Sequence, residues 1–312
     1  MGAVAEGFVP FRGYRTWYRV VGEREEPGKL PVVALHGGPG ASYDYMEPLE
    51  AIAGTGRRVI FYDQLGGAGR SDQPQDPSLW TVDLYKDELG TVIRALGLDR
   101  YHLLGSSWGG MLAMEHALTL PGGLASLVIA SSPASMRQWV AEANRLRADL
   151  PAEVNQTLLK HEAAGTTSDA EYQEAMLVFY RRHVCRLDPW PDCVTRTFAR
   201  LEQHPEVYKT MNGPSEFFVT GTLKDWDITH RLPEIRVPAL VISGEFDEAT
   251  PAINRTVHEG IAGSESVILD GGSHMAFVEK PGEYVESVDG FLGRVEAAVP
   301  AFSSPSAQGG GV

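Results

Sequence analysis

The sequence predicts an α/β protein: a mostly parallel sheet covered by helices on both faces and interrupted by a helical insertion. Three observations carry this. Short, uninterrupted apolar runs recur through the first third, each ending at a polar or glycine-rich turn. Helix-spaced apolar positions separate them. Strand character then disappears for about a hundred residues, far beyond ordinary loop length, and returns near the end.

Each element has its own justification. Tyr14 to Val21 alternates Trp17 and Arg19 against Tyr18 and Val20, a strand pattern. Pro31–Leu35, Arg58–Tyr62, His102–Leu104 and Leu127–Ala130 are continuously apolar or nearly so, as strands buried on both faces are. Leu84, Leu89, Val92, Ile93 and Leu96 share a helical face that stops before Gly97. Beyond Pro133, Met136, Val140, Ala143 and Leu146 form one helical face; Tyr172, Met176, Phe179 and Tyr180 form another. Pro151, Pro189, Pro191, Pro205 and Pro214 divide this stretch into short helices. Strands return at Ala239–Ile242 and Val267–Leu269, and a last helix runs from Pro281 to about Val295. The expected units are a sheet core (1–132 and 233–298), a helical cap (133–232) and a disordered tail (299–312). Glu23, Glu25 and Glu26 read as a solvated hairpin.

Composition excludes several functions. The 312 residues carry a net charge of −14, and an acidic surface repels phosphate backbones, so no nucleic-acid partner is expected. Two cysteines cannot build a disulfide framework, which points to the cytosol. The N-terminus lacks the basic and apolar regions of a secretory signal. Ala117 to Met136 is uncharged, but Pro121-Gly122-Gly123 and Pro133 break it, so no membrane span or membrane partner is expected. No His or Cys cluster has metal-ligand spacing, and Gly66-Gly67-Ala68-Gly69 opens no helix, so neither metal nor organic cofactor is expected. Cys185 and Cys193 read as buried free thiols. Oligomeric state is not legible.

Three signals carry chemistry. Gly105-Ser106-Ser107-Trp108-Gly109 is a G-x-S-x-G between a strand and a helix, which exposes a serine on a tight turn and aims a helix N-terminus at the site. A plain βα turn with Ser107 as N-cap is the alternative. His36-Gly37-Gly38-Pro39-Gly40 follows a strand, and its glycines let backbone N–H groups approach an oxyanion; Gly38 and Trp108 are the candidate donors. A structural glycine turn is the alternative there. Asp247 and His274 each follow a later strand. A serine hydroxyl needs an imidazole to take its proton and a carboxylate to orient that imidazole, and Ser107, Asp247, His274 supply these in the chain order of α/β-hydrolases. The other histidines, among them His161, His183, His204, His230 and His258, mostly read as solvated surface.

The motifs His36–Gly40, Asp63-Gln64 with Gly69-Arg70-Ser71, Gly105–Gly110, Met211–Glu216, Gly244–Pro251 and Gly271–His274 together resemble the proline iminopeptidases, the tricorn-interacting aminopeptidases and related amino-acid amidases. That resemblance implies the α/β-hydrolase fold, a serine nucleophile, a helical cap and cleavage after an N-terminal residue of a small peptide or amide. It also implies that Glu216 and Glu245 bind the substrate's free amino group, a charge-assisted contact that chemistry favours independently. A helix-start acid is the alternative for Glu216, and a solvated loop acid for Glu245. The segment Asp63–Ser71 is one residue longer than usual for the family and lacks its common cysteine, which leaves the pocket shape open. An esterase, lactonase or tailoring hydrolase on the same triad is the second reading. A ligand receptor on this scaffold is the third.

Overall fold

The computed structural model describes residues 3–298, so the tail expected to be disordered lies outside the described residues. The eight strands are β1 (Val4–Phe11), β2 (Tyr14–Val21), β3 (Val32–Leu35), β4 (Val59–Tyr62), β5 (Tyr101–Ser106), β6 (Leu124–Ala130), β7 (Ala239–Gly244) and β8 (Glu265–Leu269). They form one sheet in the order β1-β2-β4-β3-β5-β6-β7-β8. The β1–β2 and β2–β4 pairings are antiparallel and all later ones parallel.

Ten α-helices stand among the described residues. They are α1 (Val82–Ala95), α2 (Trp108–Ala117), α3 (Met136–Ala148), α4 (Ala152–Ala164), α5 (Ala170–His183), α6 (Asp192–Gln203), α7 (Glu206–Met211), α8 (Pro251–Gly260), α9 (Ala276–Glu279) and α10 (Pro281–Ala298). Five of them, α3 to α7, are inserted between β6 and β7. The prolines do what their chemistry allows: Pro151, Pro191 and Pro205 precede α4, α6 and α7, where a missing N–H costs nothing.

Burial explains the middle of the sheet. Every residue of β3, β4, β5 and β7 is buried, because helices cover both faces. One apolar cluster joins Val33, Leu35, Leu103 and Leu127 to α1 and α2; the other joins Val32, Ala34, Phe61 and Leu104 to α9, α10 and the inserted helices. The parallel strands thus deliver their C-terminal ends, and the loops beyond, to one edge beneath the insertion.

Two expectations change. The acids after β2 do not form a hairpin, since β2 pairs with β1 and β4 and the segment crosses over to β3; Glu25 takes an N–H from Arg58 at 2.6 Å. His161 is buried, not solvated: its ring bonds Thr166 and Glu171 at 2.7 and 2.9 Å and fastens the end of α4 to α5.

Candidate active site

Ser107 stands between β5 and α2 at φ 58°, ψ −122°, a region that non-glycine residues seldom occupy. The neighbourhood enforces it. Ser107 N–H donates to Ala130 O at 2.8 Å, and the Ser132 hydroxyl donates to Ser107 O at 2.8 Å. A Cβ on Gly105 would lie 2.2 Å from Gly109 O, and one on Gly109 would lie 2.1 Å from Leu35 O. The serine can be pushed outward only because its flanks are this bare.

The loop after β3 supplies the second wall. Gly38 takes φ 113°, and neither its N–H nor that of Trp108, at the start of α2, has an acceptor among the described residues. Both residues border the cavity that Ser107 lines. Behind them a buried amide holds the two donor segments together. Gln64 accepts the Trp108 indole N–H at 2.8 Å and donates to His36 O at 2.9 Å. Its own backbone N–H donates to His36 Nε2 at 2.9 Å, and the ring's Nδ1–H is held by Gly37 O at 2.9 Å. Burial lowers the His36 pKa, which fits this neutral tautomer. The long loop Asp63–Ser71 therefore reaches the site through Gln64, and through Ala68 N–H to Gly40 O at 2.8 Å, rather than by lining the cavity. Its fixed point is Arg70, paired with Asp44 at 2.9 Å and Asp63 at 3.1 Å.

His274 and Asp247, read in the sequence as base and orienting acid, lie within hydrogen-bond distance of each other. His274 Nδ1 bonds Asp247 Oδ1 at 2.8 Å, and Ala249 N–H donates to the same oxygen at 2.7 Å. Burial is the largest single influence on the imidazole and lowers its pKa. The Asp247 charge and hydrogen bond act the other way and, with Glu216 and Glu279, leave it raised above 6.5. Trp139 packs edge-on against the ring, centroids 5.9 Å apart. Ser107 and His274 line one cavity of about 480 Å³ without a hydrogen bond between them; such bonds commonly tighten only around substrate. The insertion ties down both loops: the carbonyl of His183, at the end of α5, accepts Glu248 N–H at 3.3 Å and His274 N–H at 3.1 Å. His183 is thus a structural brace rather than solvated surface.

The two glutamates expected to act together are not brought together. Glu216 lines the cavity beside Ser107, held by the Tyr208 hydroxyl at its carboxylate and by the Trp139 indole N–H, which donates to its backbone oxygen at 2.7 Å. Glu245 is exposed, and its carboxylate accepts Gly271 N–H at 2.9 Å. Glu248, three residues on, occupies the cavity instead, 1% exposed, with Oε2 unpartnered among the described residues. Burial, and then the nearby Glu216 and Asp247 charges, hold its pKa well above the carboxylate range; burial likewise raises Glu216. Sequence reasoning missed Glu248, although its adjacency to Asp247 placed it in the same loop.

A second, small cleft also borders Ser107, walled by Met111, Pro133, Met136, Trp139 and Leu223. The cysteines are free and buried. No helix among the described residues is long and apolar enough to cross a membrane.

A half-buried serine on a strained elbow, an imidazole–carboxylate pair and N–H groups with no acceptor among the described residues, on an eight-stranded α/β sheet, define a serine hydrolase of the α/β-hydrolase fold. The α/β-hydrolase family matches residues 31–281. The chain is 40% identical over 293 residues to the proline iminopeptidase of Lactobacillus helveticus, covering 93% of this chain and 98% of that one. The crystal structure of the Mycobacterium smegmatis proline iminopeptidase superposes with a TM-score of 0.88 at 46% identity, covering 94% of this chain and 99% of that one. The structure of VinJ does so with a TM-score of 0.90 at 46% identity, covering 93% and 99%. The chain belongs to the proline iminopeptidase family of α/β-hydrolases and is a serine hydrolase of that type.

Proposed function

We propose that this enzyme releases the N-terminal residue, proline first among the candidates, from small peptides or amino-acid amides through an acyl-enzyme. One observation carries the reading: two carboxylates, the buried Glu248 and the half-buried Glu216, share a cavity with Ser107. Two like charges in apolar surroundings are costly unless a cation joins them. A substrate's terminal ammonium is that cation, and it sits one residue from the bond to be cut. An ester without an amine leaves both acids unserved, which weighs against the esterase or lactonase reading.

The residues then take these roles. Glu216 and Glu248 fix the ammonium and place the first carbonyl over Ser107. Ser107 attacks the carbonyl carbon while His274 takes its proton; Asp247 orients the imidazole and stabilises its cation. The Gly38 and Trp108 N–H groups hold the developing oxyanion, each worth about 2.7–4 kcal/mol. His274 protonates the departing amine, and water activated by the same imidazole frees the acid. The cap, residues 133–232, limits substrate length. Two free buried thiols favour a cytosolic setting, and the acidic surface disfavours nucleic acid as partner.

A panel of prolyl, alanyl and phenylalanyl chromophore amides, with fluorophosphonate labelling of Ser107, tests the reading. Hydrolysis lost together with the label in Ser107→Ala supports it. Turnover surviving in that variant refutes it.

A further inference from the structure

Glu279, at the end of the short helix α9, accepts three hydrogen bonds on one carboxylate. Oε2 takes Ser273 N–H at 2.5 Å, and Oε1 takes the Ser273 hydroxyl at 2.7 Å and Arg186 N–H at 2.5 Å. The neighbouring cations are turned elsewhere: Lys280 lies 3.9 Å from Glu283, and the Arg186 guanidinium lies 3.9 Å from the centre of the Phe246 ring. Two of the three donors belong to the residue before the base, His274. The third belongs to the cap, just past α5.

These bonds complete a seam between the cap and both triad loops. His183 Nδ1–H donates to Phe246 O at 2.9 Å, and His183 O accepts the Glu248 and His274 N–H groups. Val184 O accepts Met275 N–H at 2.9 Å and shares the Ser273 hydroxyl proton at 3.0 Å. Val184 and Tyr180, from the same end of α5, line the cavity beside His274. The other acceptors of the seam are backbone carbonyls. A carboxylate accepts roughly twice as strongly, and Glu279 grips the base loop and the cap at once.

We propose that Glu279 is a positioning residue for the reaction: it pins Ser273, and with it the His274 imidazole, to the cap segment that walls the cavity. This role needs only the serine-hydrolase chemistry, whichever amine the substrate carries. Asp247 fixes Nδ1 of the ring; where the other nitrogen points depends on the backbone that Glu279 holds. A small displacement there lengthens the proton transfer from Ser107 and slows the chemical step. Glu279 also acts through space. Burial is the largest influence on the imidazole and lowers its pKa, while Asp247, Glu216 and Glu279 raise it. Glu248 stands 3.8 Å from Nδ1. Burial pushes the Cys185 thiol, the other titratable group near Glu279, up to about 11, so it adds no charge. Removing the Glu279 charge therefore lowers the pH midpoint of the base, which a residue that only filled space would leave in place.

The test follows the rate of fluorophosphonate labelling of Ser107 between pH 5 and pH 9. Ser107 Oγ bonds to phosphorus, fluoride leaves, and His274 takes the hydroxyl proton, so the rate reports nucleophile and base without any substrate amine. Glu279→Gln keeps the size but turns an amide N–H toward a donor. Its plateau second-order rate constant is expected to fall about tenfold, and its acid midpoint by a few tenths of a pH unit. Glu279→Asp keeps the charge but reaches fewer donors, so the rate constant falls while the midpoint holds. Ser273→Ala is expected to cost about threefold, and to add nothing further to Glu279→Gln because both break one contact. A plateau rate constant unchanged in Glu279→Gln or in Glu279→Asp overturns the role, as does full additivity of Ser273→Ala with Glu279→Gln. Failure of the unmodified enzyme to hydrolyse prolyl amides while it still takes the label overturns the aminopeptidase reading alone.

Discussion

The indole N–H of Trp108 donates to the Gln64 side-chain oxygen at 2.8 Å, and the same amide donates to His36 O at 2.9 Å. One buried side chain thereby sets the spacing between the two segments that offer the Gly38 and Trp108 N–H groups. A donor displaced by a fraction of an ångström stabilises the oxyanion less while leaving ground-state binding alone. Gln64→Leu is expected to lower kcat ten- to a hundredfold with KM within about twofold. Gln64→Glu, which still accepts from Trp108, falls in between. A Gln64→Leu loss confined to KM removes Gln64 from this role.

The carboxylates should separate by position. Glu248→Gln and Glu216→Gln are expected to raise KM for prolyl amides by about tenfold or more, the value of one charge-assisted hydrogen bond. Glu245→Gln is expected to change little, because that group faces Gly271 at the surface. Steady-state kinetics on the three variants check this, and a Glu245 effect equal to that of Glu248 contradicts the assignment.

Activity should depend on pH with a defined sign. His274 must be neutral to act as base, and its pKa is raised above 6.5, so kcat/KM should fall on the acid side of a midpoint above 6.5. On the alkaline side the substrate ammonium loses its proton near 8 and the acids lose their partner. A bell-shaped profile is expected; replacing the free amine with a quaternary ammonium should abolish its alkaline limb alone.

Glu88 offers a stability measurement away from the site. It is fully buried, accepts the Thr16 hydroxyl at 2.5 Å and Leu65 N–H at 3.0 Å, and burial pushes its pKa up to about 8. The folded state binds a proton there that the unfolded state has released above the usual carboxylate range. Glu88 therefore favours folding at acid pH, and that contribution is lost as pH rises toward about 8. Glu88→Gln should flatten the fall of Tm between pH 5 and about 8. An unchanged slope sets Glu88 aside.

Much of this was legible in the residues. The buried parallel strands announced themselves as apolar runs, and Ser107, Asp247 and His274 by their place after three of them. β1 went unread because only Val9 and Phe11 of its eight residues are buried, so an edge strand in solvent shows little periodicity. The choice between Glu245 and Glu248 was not legible. It depends on the chain turning at Asp247, which exposes one acid to the Gly271 loop and points the next into the cavity. The brace formed by His183 was equally hidden, because a backbone carbonyl acts there and any residue type has one.

The central claim is that two cavity carboxylates read a free amine beside the nucleophile. The most direct measurement compares kcat/KM for prolyl-2-naphthylamide and its N-acetyl derivative in the unmodified enzyme and in Glu248→Gln. The account predicts a loss of about a hundredfold or more on acetylation, much reduced in the variant. Equal rates on the two substrates in the unmodified enzyme contradict it.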